Sequence, residues 1–192
     1  MCKKQKFKFA DGDNLPDGMF KHFTVLQDGR LALLGTNDVV YLFTTSPEVS
    51  LEHFFFDKYG YQAKFVAASP GRESLLAVAG ASGLAIYHCE DYRKVFKFSG
   101  SILDVQWSPS SRYLAFIVDQ GGKKQVAYCV DLHNEREAKK LRFGDDACLI
   151  SFSPFENWLI IGVIPDKHGI TNFRVIDIHS QTQTQFEIIN ES

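Results

Sequence analysis

Two short strings hold residue types that commonly do chemistry: Asp131-Leu132-His133 and Asp177-Ile178-His179. A carboxylate and an imidazole two residues apart can share a metal ion or relay a proton. Both strings fall in the same place, at the turn closing a third apolar run, where an Asp side chain bonds its own turn backbone and needs no ligand. Only His88 approximates the pattern elsewhere, so no ring of metal ligands is expected. Gly121-Gly122-Lys123-Lys124 departs from the GxxxxGK-S/T spacing of phosphate loops and joins two strand-like runs, as a hairpin turn does. Gly80-Ala81-Ser82-Gly83 likewise lacks the GxSxG spacing of a nucleophile elbow. No Ser, His and acid fall into a recognisable catalytic order. The expectation is a non-enzyme without metal, cofactor or small-molecule substrate.

The elements that must position these residues are those of a packed domain. Hydrophobic residues are 45% and charged residues 23% of the 192, which argues against disorder and against a collagen-like chain. The net charge of −2 excludes a polycation built for nucleic acid. Apolar stretches such as Trp158 to Ile161 are far too short to span a bilayer, so no membrane role is expected. Cys2, Cys89, Cys129 and Cys148 show neither CxxC nor zinc-finger spacing, which points to unpaired thiols in a reducing compartment, cytoplasmic or nuclear. The N-terminus, MCKKQKFKFADG, has no apolar segment of the secretory kind. Its Lys3, Lys4, Lys6 and Lys8 leave the rest of the chain at −6 and form an arm that suits an acidic surface or RNA phosphate. The alternation in KFKFA also fits an edge strand guarded by lysines.

An internal repeat organises the rest. Ser69-Pro70, Ser108-Pro109 and Ser153-Pro154 recur at intervals of 39 and 45, and Asp28-Gly29 takes the same slot 41 residues before Ser69. Each anchor follows a first apolar run (HFTVL, AKFVAA, ILDVQW, CLISF) and precedes a second (RLALLG, SLLAVAG, RYLAFIV, NWLIIGV). A third run (VVYLF, GLAIY, QVAYCV, NFRVI) and a fourth (EHFFF, KVFKF, KLRF, TQFEI) complete each unit. A four-stranded antiparallel meander repeated four times is the mark of propeller blades. The second and third runs are nearly all apolar, as strands covered on both faces would be, while the fourth runs alternate like outer strands. Ser and Pro at the anchors fix turn geometry, a role that competes with phosphorylation there.

VQWSPSSRYLAF and ISFSPFENWLII resemble the strand–turn–strand core of WD-repeat propellers, and the likeness runs over about residues 20–190. The terminal Trp-Asp pair is replaced by endings such as Val130-Asp131-Leu132, and the Gly-His pair is missing, so the resemblance is to a divergent member. Phe152-Ser153-Pro154 and Val175-Ile176-Asp177 are also similar to propeller regions of eukaryotic translation-initiation factors. The implied fold is all-β and propeller-type: an arm over 1–19 with one strand, then blades at about 20–60, 61–100, 101–146 and 147–192. Three arrangements fit: a closed four-bladed ring, a piece of a longer propeller, or an open arc completed by a second chain. The incomplete or partnered arc is favoured, because an open end exposes a broad apolar face.

Two partner surfaces are expected. Phe55, within Phe54-Phe55-Phe56, aligns with Lys97, Arg142 and Glu187 of the other outer strands, and an apolar residue in a charged slot suggests a covered surface. Lys123, Lys124, Lys167 and His168 fall on rim turns suited to an acidic peptide or RNA phosphate. The function expected is a non-catalytic protein-interaction scaffold in a larger assembly, its partner another protein or a second copy completing the propeller. An RNA- or ribosome-associated module and a propeller housing an active site are the alternatives.

Overall fold

The computed structural model describes residues 20–45, 50–56, 62–71, 74–122, 124–133, 139–164 and 171–188. They form four four-stranded antiparallel sheets, each a meander of consecutive strands, and the described residues contain no helix. The first sheet holds β1 (Phe20–Val25), β2 (Leu31–Gly35), β3 (Val39–Thr44) and β4 (Ser50–Phe56). The second holds β5 (Ala63–Ala68), β6 (Leu75–Gly80), β7 (Gly83–His88) and β8 (Lys94–Ser99). The third comprises β9 (Ser101–Trp107), β10 (Tyr113–Asp119), β11 (Gln125–Asp131) and β12 (Lys139–Asp145). The fourth comprises β13 (Ala147–Phe152), β14 (Trp158–Val163), β15 (Thr171–Asp177) and β16 (Gln183–Ile188). The fold is all-β and propeller-type.

The anchor serines make the turn between first and second strands. The backbone N–H groups of Ser69, Ser108 and Ser153 each donate at 2.9 Å to the carbonyls of Leu75, Tyr113 and Trp158. The hydroxyls accept the return N–H bonds of the same three residues at 3.1, 3.0 and 3.2 Å. A side chain that closes the turn from both sides is the physical reason for Ser at this slot. In the first unit Leu26 N–H donates to the Arg30 carbonyl at 2.8 Å, so Leu26, two residues before Asp28, is the counterpart of the serines. Asp28 acts inside that shorter turn, accepting the Arg30 N–H at 2.9 Å.

Three apolar cores lie between consecutive sheets. Ala32, Leu34, Val40 and Leu42 of the first sheet meet Leu76, Val78, Ala85 and Tyr87 of the second. Leu75, Ala77, Leu84 and Ile86 meet Leu114, Phe116, Val126 and Tyr128 of the third. Tyr113, Ala115, Ile117 and Cys129 meet Ile150, Leu159, Ile161 and Ile176 of the fourth. Alternate residues of one strand therefore serve different cores, which is why the second and third runs read as continuously apolar. Each large side chain so buried contributes about 1.5–3 kcal/mol before entropy is counted. Among the described residues no fourth core joins the last sheet to the first.

Register corrects one alignment made from sequence. Lys97 pairs with Ala85 and Arg142 with Tyr128, whereas Phe55 pairs with Val40. Ala85 and Tyr128 face the preceding sheet and Val40 faces the following one. The slot of Lys97 and Arg142 is thus held in the first sheet by Phe54, opposite Tyr41, and in the fourth by Gln185, opposite Arg174. Bulges in the outer strands, such as that at Glu52 opposite Leu42 and Phe43, shift the count by one, and one residue exchanges the two faces of a sheet.

Candidate protein-docking surface

The inner strands β1, β5, β9 and β13 lie side by side and tie one sheet to the next through polar bonds. Val66 N–H donates to His22 Nδ1 at 3.4 Å, Ala68 N–H to Thr24 Oγ1 at 3.2 Å, and Trp107 Nε1–H to the Ala67 carbonyl at 2.8 Å. Side chains so occupy backbone groups that a free sheet edge would leave open. At the rim, the Arg30 guanidinium reaches both the Cys89 carbonyl and Glu52 Oε1 at 2.9 Å, and Tyr92 O–H donates to the same carboxylate at 3.0 Å. Burial works against the Asp28 carboxylate, yet hydrogen bonds from Arg30 and its charge outweigh it and hold the pKa below the usual range.

The outward face of the fourth sheet is built like the faces that fill the cores. Tyr113 and Trp158 each lie five residues after their anchor serine, so Ala115 corresponds to Ile160 and Ile117 to Gly162. Opposite them, Cys129 and Ala127 correspond to Val175 and Phe173. Tyr113, Ala115 and Ile117 are 4%, 0% and 1% exposed, whereas Trp158 is 44% exposed. Leu149 at 57% and Phe186 at 45% widen the same uncovered face. Ser153, Trp158, Ile160, Val175, Thr184 and Phe186 line a shallow groove across it. The Phe173 and Phe186 rings stack at 5.2 Å and 13°, which gives the groove a rigid aromatic wall. Phe155, 85% exposed, stands on the adjoining turn.

Of the residues singled out from sequence, Lys124 is exposed and pairs with Asp145 at 3.5 Å, an exposed contact worth at most about 1 kcal/mol. Phe54, Phe55 and Phe56 end β4. Lys3, Lys4, Lys6, Lys8, Lys123, Lys167 and His168 lie outside the described residues. Sequence reasoning did not select Leu149, Trp158, Ile160 or Phe186; the signal was present in NWLIIGV, whose outward positions are as apolar as the buried ones, but nothing local marks which face has no neighbour.

The two Asp–X–His strings are turn elements. Asp131 Oδ1 accepts the His133 N–H at 2.9 Å and its carboxylate takes a forked pair from Arg112 at 3.1 and 2.8 Å. Asp177 accepts the backbone N–H groups of His179 and Ser180 at 2.9 and 3.0 Å. Among the described residues no three His, Cys, Asp or Glu side chains gather as metal ligands. The groove between β1, β5 and β9 carries one titratable side chain, His22. Burial raises the Cys89 thiol to about 12 and lifts Cys129 as well, so both are held in the protonated form. No helix among the described residues is long and apolar enough to cross a membrane.

Neither a protein-family model nor a curated protein sequence matches the chain. Solved structures do. The chain superposes on Sqt1 from Chaetomium thermophilum with a TM-score of 0.63 at 12% identity, over 90% of this chain and 49% of that one. It superposes on a chain of the mitotic checkpoint complex with a TM-score of 0.57 at 16% identity, over 80% and 50%. With the β-propeller domain of the Trilobed protease from Pyrococcus furiosus, described as having an open velcro topology, the values are 0.52, 14%, 67% and 44%. The chain thus spans about half the length of the propellers it matches. Likeness at this identity establishes the propeller fold, which is shared by components of assemblies and by a protease.

Proposed function

We propose that this chain is a non-catalytic protein-interaction scaffold whose docking surface is the outward face of the fourth sheet. One observation carries the reading: the positions that are sealed in the third sheet, Tyr113, Ala115 and Ile117, recur in the fourth as Trp158, Ile160 and Gly162 with Trp158 open to solvent. Exposed apolar faces of this kind mark interaction sites. Trp and Phe at the centre suit an anchor role, because large rigid side chains supply much contact area at low entropic cost. The mitotic checkpoint complex, in whose structure a similar chain occurs, is an assembly by its name and supports the same class of role.

The scaffold acts by rigidity. Three inter-sheet cores and the inner-strand bonds hold the face in one shape before a partner arrives, so little ordering entropy opposes docking. A photo-crosslinking amino acid at position 160, introduced in cells that make the protein, tests this. The expected result is a discrete protein adduct that disappears when Phe186→Glu is added. Absence of any protein adduct from position 160, with the chain folded and abundant, overturns the reading.

A further inference from the structure

We infer that the cleft between the third and fourth sheets is an oxyanion site that takes a phosphate monoester of small-molecule size. The site lies on the back of the fourth sheet, away from the docking face, and stands independently of the docking reading.

The cleft opens where two large apolar positions have been exchanged. Phe98 pairs with Leu84, four residues before His88. The same place in the third sheet belongs to Gly144, which pairs with Ala127, four residues before Asp131. Tyr128, three residues before Asp131, has Arg174 as its counterpart, three before Asp177. At the second junction the Phe98 and Tyr128 rings meet at 5.4 Å, and Lys140 Nζ lies 4.6 Å from the Phe98 ring centre. At the third junction the paired slots hold a glycine and a guanidinium, and the aromatic seal gives way to an open cleft of about 440 Å³. Arg142, Phe143, Gly144, Asp145, Gln181 and Gln183 line it. Small-molecule sites span about 300–1,000 Å³.

Gly144 is what admits the guanidinium. Its φ is +136°, and a Cβ there would overlap Arg174 Nη1. Arg174 Nη1 donates to the Asp145 carbonyl at 3.0 Å, against the wall of the cleft. Arg174 Nε is shielded from solvent and has no acceptor among the described residues. A shielded guanidinium N–H left unbonded is costly and calls for an acceptor from outside the chain.

The charge has the matching sign. The Asp145 carboxylate takes Arg142 Nη2 and, at 3.5 Å, Lys124 Nζ. Three cations and one carboxylate so joined leave an excess of two positive charges. Hydrogen bonding from Arg142 holds the Asp145 carboxyl below the usual carboxylate range, so it stays ionised as a resident competitor for the cations. The Arg142 and Lys124 side chains are 52% and 49% exposed, free enough to turn from Asp145 to an entering ligand. Guanidinium forks match the oxygens of a phosphate, and the ammonium adds a point charge. A dianionic monoester balances the excess of two, where one carboxylate would leave half of it. Gln181 and Gln183 supply amides for the ester's organic part.

Titration of the chain with inorganic phosphate at fixed ionic strength, followed by the arginine Nε–H signals in nitrogen–proton NMR, tests the site. Saturable binding is expected, with a dissociation constant of about 1 mM or tighter. Glycerol 3-phosphate should bind at least as tightly as inorganic phosphate. Arg142→Gln, at an exposed side chain, should weaken binding about 10-fold or more. Asp145→Asn should tighten it about 3-fold or more, because it frees two cations. Arg112→Gln removes an arginine that pairs with Asp131 outside the cleft, and should leave binding unchanged. Shifts that stay linear up to about 10 mM phosphate overturn the inference. So does an Arg112→Gln variant weakened as much as Arg142→Gln, which would mean general screening of surface charge. Weaker binding by a folded Asp145→Asn variant also overturns it, since the carboxylate would then be holding the site together.

Discussion

The third and fourth sheets present nearly the same forward face, and only one of them is covered. Tyr113, Ala115 and Ile117 pack on Ile150, Leu159 and Ile161, while Trp158, Ile160 and Gly162 look outward over a groove. Both strands alternate in the same phase from the same serine turn. The difference lies in having a following sheet among the described residues, and it leaves a core-type position exposed without any change in local chemistry.

Equal substitutions at paired positions test the comparison most severely. Tyr113→Glu should cost about 3 kcal/mol or more in chemical denaturation, since it leaves a carboxylate in an apolar core. Trp158→Glu should move the stability of the isolated monomer by about 0.5 kcal/mol or less. Equal losses at the two sites would mean that the fourth sheet's face is part of the monomer's own core.

Glycines give a finer contrast. A Cβ on Gly80 would stand 2.4 Å from the Gln62 carbonyl oxygen and 2.6 Å from the Ala63 Cα, backbone atoms of β5 and its approach. Gly80→Ala should therefore cost about 1–3 kcal/mol. A Cβ on Gly162 would stand 3.0 Å from the Leu149 Cβ, so the two strands must part by a few tenths of an ångström, on a face that is open. Gly162→Ala should cost less than Gly80→Ala, about 1 kcal/mol or less in a thermal melt.

The smallest effects are in pH. At Asp131 burial raises the pKa, but hydrogen bonds from Arg112 and the His133 N–H and the Arg112 charge outweigh it and hold it below the usual 3.8. A group depressed in the folded state stabilises above its unfolded pKa, and that share is lost as pH falls through the folded value. Asp104 has the opposite sign, because burial raises it against a single Val105 N–H bond. Its contribution is full below the unfolded value and is lost as pH rises through the folded one. Asp131→Asn should flatten the acid limb of a stability–pH curve, and Asp104→Asn should raise stability at neutral pH. A curve unchanged by both would place these carboxylates in ordinary solvation.

The repeat made the four meanders legible from sequence, because strands covered on both faces must be continuously apolar and turns need Ser, Pro, Gly or Asp. The turn role of Asp131 and Asp177 was legible for the same reason, as each bonds the N–H groups that follow it. Register in the outer strands was not. A bulge is a property of the pairing between two strands, so counting along one of them put Phe55 in a slot that belongs to Phe54. The first unit's anchor escaped too, since in the shorter turn there the side-chain acceptor is Asp28, two residues on, and Leu26 itself carries no recognisable signature.

By itself, the amino-acid order determined that this protein is built of sheets, how many, and which strands are sheltered, since periodicity and turn chemistry are local. Which apolar face has a neighbour was decided only in three dimensions. NWLIIGV and RYLAFIV carry the same pattern, and burial is a property of what stands opposite a side chain, which no stretch of its own strand encodes.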